Sequence, residues 1–175
     1  MMKKIHYIYM VLVAVALASC NDWLDVQPHS QIEDSELFSS ESGYKEALAG
    51  VYSSMVSTST YAKEMTFGFM GVLGQEWDYY SSAQYDAVAT YDYEAAYPTN
   101  YINAIWKNNY TGISNVNNLL AHIDGGASLF SEDNYEVIKG EALALRAMLH
   151  FDLLRCFGVS FAVNPDMPSI PYSTA

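Results

Sequence analysis

The stretch from Gly140 to Gly158, GEALALRAMLHFDLLRCFG, constrains the fold more than any other part of the chain. Wound at about 100° per residue from Tyr135 to Phe157, its side chains separate into four sectors rather than two. Leu143, Ala144, Ala147, Phe151 and Leu154 share one apolar face, and Ile138, Ala142, Leu145, Leu149, Leu153 and Cys156 share the roughly opposite one. Lys139, Arg146 and His150 form one polar seam between them; Glu141, Asp152 and Arg155 form the other. A helix apolar on two opposite sides is predicted to be a central element of an all-α body, packed between two neighbours. Without one of those neighbours, Leu143, Phe151 and Leu154 each forfeit about 1.5–3 kcal/mol of burial. That sum approaches the roughly 5–15 kcal/mol stability of an average domain, so marginal stability or self-association is then expected.

The ends of this helix are written beside it. Ser131 is a suitable N-cap, Glu132 and Asp133 place negative charge in the first turn, and Phe130 and Tyr135 stand at staple positions. Gly158 suits a left-handed stop, with Arg155 in the last turn against the helix dipole.

Two more helices follow from periodicity. Serines 39, 40 and 42 offer a start, and Tyr44, Leu48, Val51, Tyr52 and Met55 continue a helical stripe, which predicts a helix over about 42–57. Thr99, after Pro98, is expected to cap a second helix with the stripe Ile102, Ile105, Trp106, Ile113, Val116, Leu120 and Ile123, stopped by Gly125-Gly126. Between them, Thr66 to Leu73 fits either a short helix or an extended core segment. Gly74 to Pro98 sustains neither period and is expected to be an irregular insertion, a kind of segment that often carries function. The sequon Asn109-Tyr110-Thr111 lies inside the second helix and is discounted.

The first residues describe a destination. Lys3 and Lys4 precede a short apolar run, Ile5 to Ala16, and Leu17-Ala18-Ser19-Cys20 fits a bacterial lipobox. The run is shorter than the ~20 apolar residues that span a bilayer. Residues 1–19 are therefore expected to be cleaved, leaving Cys20 as the lipid-bearing first residue of a tether over 20–33, with 34–175 as the helical body. Multiple acyl chains on Cys20 anchor stably where one does not. Trp23 is expected to pin the tether to the body.

Charge and composition narrow the chemistry. A net charge of −12 argues against nucleic acid, because no cationic patch is present to displace phosphate counterions. No nucleophile elbow, Cys-His pair, glycine-rich phosphate loop or metal-spaced histidine set occurs, so no catalytic residue, metal or cofactor is assigned. Cys156, on an apolar face, is expected to be an inert buried thiol. From Lys63 to Lys107 there is no other basic residue, while Trp77, Tyr79, Tyr80, Tyr85, Tyr91, Tyr93 and Tyr97 crowd the segment. Aromatic faces suit the CH faces of sugars, and carboxylates accept from their hydroxyls. Trp77, Asp78, Tyr79 and Tyr80 are the candidate ligand contacts. The alternative, that these rings pack the insertion onto the helices, stays open. Glu76 and Asp78 are the nearest approach to a glycosidase pair, but their spacing does not make them face one another.

The central stretch, read as GEA-x-x-LRA-x-x-x-FDL-x-R-x-FG and followed by the Pro-rich NPDMPSIPY, resembles the signature of the SusD/RagB family of outer-membrane nutrient-binding lipoproteins. Further likenesses run in the same order: the tether NDWLDVQP, the segment Ala47 to Ser53 and the spacing Trp106, Tyr110, Ile113, Asn117, in which Asn117 is a helix-contact residue. Ala49 departs from the asparagine common there. Ala147 and Phe151 fit one element of a tetratricopeptide repeat. The resemblance implies tetratricopeptide-like helix pairs, an N-terminal portion of a larger fold, and surface display favoured by Asp22 and Asp25. It implies capture of a glycan or other oligomeric nutrient as the lipoprotein partner of a SusC-like TonB-dependent transporter, by binding rather than covalent chemistry. A helical-repeat scaffold that contacts only proteins, a surface glycosidase accessory and a truncated remnant are the alternatives.

Overall fold

The computed structural model describes residues 33–77 and 80–175. The expected signal segment, Cys20 and the tether up to residue 32 lie outside the described residues, as do Asp78 and Tyr79. The body from Asp34 to Ala175 contains α1 (Asp34–Leu37), α2 (Glu41–Met55), α3 (Phe69–Leu73), α4 (Asp86–Ala89), α5 (Ala96–Ile123), a single 3-10 turn (Ala127–Leu129) and α6 (Asn134–Phe157), with no strand among the described residues. The fold is all-α, as the periodicity predicts.

Helix α2 begins where the serines suggest. The Ser40 hydroxyl accepts from the Gly43 N–H at 3.3 Å, and Glu41 adds charge to the first turn. A side chain at Gly43 has no room, since its Cβ would stand 1.6 Å from the Leu37 carbonyl oxygen. Glycine is thus what lets α1 close against α2.

Helix α5 starts one turn earlier than expected. Pro98 lies inside its first turn and is buried, where its missing N–H removes a donor that has no intrahelical partner anyway. Thr99 does not cap; its hydroxyl donates to the Tyr93 carbonyl at 3.0 Å. Its far end does stop near Gly125-Gly126. There the Tyr44 hydroxyl donates to His122 O at 2.9 Å and leaves no space for a Cβ at Gly126.

At α6 the start is corrected, while the helix stops at Phe157 before Gly158 as expected, with Arg155 in its last turn. The helix starts at Asn134 after Asp133, without a side-chain cap. Ser131 instead gives its N–H and hydroxyl to Glu41 Oε2 at 2.7 and 2.8 Å, tying the start of α6 to that of α2. The Phe130 and Tyr135 rings do pack edge-on, with centroids 5.9 Å apart. Gly158 is extended, at φ −81° and ψ 157°, rather than left-handed. Glycine is needed there for close approach, because a Cβ would lie 2.5 Å from Leu154 O.

Helices α5 and α6 form an antiparallel pair. Ile123 and Ile138 share one cluster near the turn, Ile113 meets Leu149 and Leu153 further along, and Trp106 meets Phe157 at 5.1 Å near the open end. Tyr44, Leu48 and Val51 of α2 close the first cluster against Val116, Leu119 and Leu145. A smaller cluster of Phe69, Val72 and Val88 packs the insertion on Ile105. Only one of the two apolar faces of α6 is covered within the described residues: Ile138, Ala142, Leu145, Leu149 and Leu153 are buried, while Leu143, Phe151 and Leu154 are exposed. The expectation of two neighbours is not met in this body.

The last residues run back along the α5–α6 groove. The Tyr110 hydroxyl donates to Pro171 O at 2.8 Å, Asn117 Nδ2 to Ser173 O at 3.2 Å, and the Ser173 N–H to His150 Nε2 at 3.0 Å. His150 therefore donates through Nδ1, 2.8 Å from Arg146 O. Asn117 also accepts from Arg146 at 3.3 Å, as a helix-contact residue should. Asn109 is buried and bonded to Ile105 O, consistent with discounting the sequon.

Candidate functional site

The insertion is less irregular than its sequence suggests. Within Thr66 to Leu73, Phe69–Leu73 forms the short helix α3, and Asp86–Ala89 adds the single turn of α4. Trp77 is 57% exposed, yet its indole lies on α3, since a Cβ at Gly71 would fall 2.5 Å from Trp77 Nε1. The ring thus packs on one side and is open on another. Tyr80 stands almost wholly in solvent, at 98% exposure. Of the candidate contacts only these two are described, and of the Glu76 and Asp78 pair only Glu76, which is exposed.

The other rings divide by role. Tyr85 stacks on Tyr101 at 5.8 Å, and Tyr101 packs against Phe69 at 5.6 Å, so these rings are structural. Tyr91, Tyr93 and Tyr97 are exposed, and Tyr91 takes a left-handed φ of 58°, strained for a bulky residue.

Two buried carboxylates hold the insertion in place. Glu64, 5% exposed, accepts from the Phe69 N–H at 2.8 Å, from the Tyr85 hydroxyl at 3.1 Å and from Lys63 at 3.1 Å. Tyr85 and then Glu64 hold the Lys63 ammonium above its ordinary pKa. Asp152 of α6 accepts from the Tyr61 hydroxyl at 2.5 Å and pairs with Arg155. Burial, then Asp152, push the Tyr61 phenol well above its ordinary value.

Around this second carboxylate lies a cleft of about 460 Å³ between the insertion and α6. Met65, Met70 and Leu73 give it an apolar side; Tyr61, Glu76, Asp152 and Arg155 give it polar groups. Cys156 also borders it, with its thiol pushed up by burial and then by Asp152, which disfavours the reactive thiolate. Such a mixture can hold a polyhydroxy ring by apolar contact and hydrogen bonds. It has the makings of a binding cleft. Among the described residues no group of three His, Cys, Asp or Glu is placed to hold a metal ion.

Sequence reasoning did not find Tyr61 or Glu64. The spacing of Asp152 and Arg155 in one polar seam of α6 was the available signal for half of the cleft; nothing periodic marks Tyr61 or Glu64.

Comparison with known proteins adds one match. The model of the SusD-like_3 family, described as "Starch-binding associating with outer membrane", matches residues 22–175. No curated protein and no solved structure matches the chain.

Proposed function

The chain belongs to the SusD-like family of starch-binding proteins associated with the outer membrane, and from that membership we propose that it captures a glycan at the cell surface. The match over residues 22–175 carries this reading. SusD-like proteins are binding proteins, and the role proposed here is binding and hand-over to a SusC-like TonB-dependent transporter. Cys20 carries the lipid, and the tether to residue 33 keeps the module beside its partner. Holding both on one membrane raises their effective concentration, so modest ligand affinity suffices.

Contact falls to the rim of the insertion. Trp77 and Tyr80 offer exposed rings, Asp78 and Tyr79 lie between them in sequence, and the cleft of Tyr61, Glu76 and Arg155 adjoins at Glu76. The rings cover the CH faces of a sugar, while carboxylate and guanidinium groups meet its hydroxyls.

Maltooligosaccharide titration followed by tryptophan fluorescence tests this. A saturable change that Trp77→Ala removes, with Trp23 and Trp106 retained, is the expected result. Absence of any response in the intact protein would favour a scaffold that contacts proteins only. Release of reducing ends, abolished by Glu76→Gln with Asp78→Asn, would instead reveal a hydrolase. For the anchor, Cys20→Ala should shift the protein from the membrane fraction to the soluble one.

A further inference from the structure

The insertion and the cleft beside it carry charge of one sign. From residue 56 to residue 96 one lysine, Lys63, stands against six carboxylates, Glu64, Glu76, Asp78, Asp86, Asp92 and Glu94. Lys63 pairs with Glu64 at 3.1 Å, and the Asp86 carboxylate accepts from a neutral donor, the Ser82 N–H, at 3.0 Å. Glu76, Asp92 and Glu94 are exposed. No lysine or arginine occurs between Lys4 and Lys45 either, so the tether, with Asp22 and Asp25, brings further acid rather than base.

The cleft of Tyr61, Glu76, Asp152 and Arg155 repeats this balance. Asp152 is buried and pairs with Arg155, so these two charges cancel. Burial pushes the Tyr61 phenol and the Cys156 thiol up and keeps both neutral. The described lining therefore sums to one negative charge, that of Glu76. Met65, Met70 and Leu73 form the apolar side, and low-dielectric walls strengthen the field of a nearby charge. A sugar hydroxyl entering this site exchanges water for protein partners. A carboxylate or sulfate entering it sheds hydration and meets its own sign.

We propose that this site sorts glycans by charge: it takes neutral sugars and excludes those bearing uronate or sulfate groups, with Glu76 setting the sign at the cleft. The inference rests on the glycan-capture reading above and adds the class of glycan to it. The rings alone would not discriminate, since the CH faces of glucose and of glucuronate are alike; the acidic surround does.

The test uses the intact protein with maltohexaose and with the same oligomer after its C6 hydroxymethyl groups are oxidised to carboxylates. Calorimetric titrations are run at about 0.01 M and about 1 M sodium chloride, between which the screening length falls from about 30 Å to about 3 Å. At low salt the oxidised oligomer should bind about tenfold or more weaker than maltohexaose, the scale of a surface potential of a few kT, and salt should narrow the gap. Glu76→Gln should narrow it at low salt as well. The ratio of the two affinities is the readout, because a lost hydrogen bond or a loosened fold weakens both oligomers alike. Equal or tighter binding of the oxidised oligomer leaves capture standing and overturns the charge rule. So does a gap that neither salt nor Glu76→Gln changes, which would mark a steric limit at C6. Binding of neither oligomer overturns the capture reading and this inference with it.

Discussion

The α5–α6 seam and the crossing, the segment of residues 56–68 between α2 and α3, are held by different means. The seam buries mainly apolar side chains, Ile113, Val116, Leu119, Leu145, Leu149 and Leu153, with Asn109, Asn117, His150 and Asp152 as its hydrogen-bonded polar members. The crossing buries Thr60 and Glu64, and its backbone closes on itself turn after turn, with Met65 N–H to Thr60 O at 2.8 Å and Gly68 N–H to Lys63 O at 2.8 Å. Apolar burial is non-directional and tolerates a similar shape. A buried carboxylate is specific, because removing it strands every donor aimed at it. The helices are held mainly by area, the crossing mainly by partners, with Tyr61 and Met65 its apolar contacts.

Substitutions sharpen that contrast. Leu153→Ala, in the seam, should lower global stability by about 2–5 kcal/mol in chemical denaturation; a smaller loss would mean the seam collapses around the space. Glu64→Ala should cost about 1–3 kcal/mol, and the loss should be local. Hydrogen exchange should quicken for the amides of 65–73 and stay slow in α5 and α6. Uniform acceleration would erase the distinction between the regions.

A third, smaller effect belongs to the tie between α2 and α6. Lys45, followed by the Ser131 N–H and hydroxyl, holds the Glu41 carboxyl well below its ordinary 4.5, at about 2. A lowered folded-state value means this contribution is present above pH 4.5 and is lost as pH falls through about 2. Glu41→Gln should therefore remove part of the acid sensitivity within that window, read from the acid limb of a pH–stability curve. The smallest effect is expected on the uncovered face of α6: Phe151→Ser, at a residue 59% exposed, should change stability by within about 0.5 kcal/mol. A larger loss would reveal that something covers this face in solution.

What was legible in the sequence follows the same division. The stripe of α2, the stripe of α5 and the four sectors of α6 announce helices because burial by area leaves a period. The shifted starts of α5 and α6 show where that period ends. Pro98 looks like a barrier but is tolerated inside a first turn, and Ser131 looks like a cap but is drawn away by Glu41. Gly158 was read for handedness, whereas it is the nearness of Leu154 O that demands glycine. Of the cleft, Asp152 and Arg155 sat in view on one seam. Tyr61 and Glu64 did not, because their partners lie on other segments and a hydrogen bond across the fold leaves no local pattern. Trp77 drew notice as a candidate ligand contact, but its packing on Gly71 depends on α3, which the sequence left undecided between a short helix and an extended segment.

The polar character of the crossing also sets how it responds to temperature. Exposing apolar surface raises heat capacity and exposing polar surface lowers it. Opening the seam releases leucine and isoleucine side chains, so its free energy curves steeply with temperature and weakens in the cold. Opening the crossing releases amides, hydroxyls and a carboxylate beside the apolar surface of Tyr61 and Met65, and its free energy should curve less. Cooling should therefore take a larger share of stability from the helix pair than from the crossing.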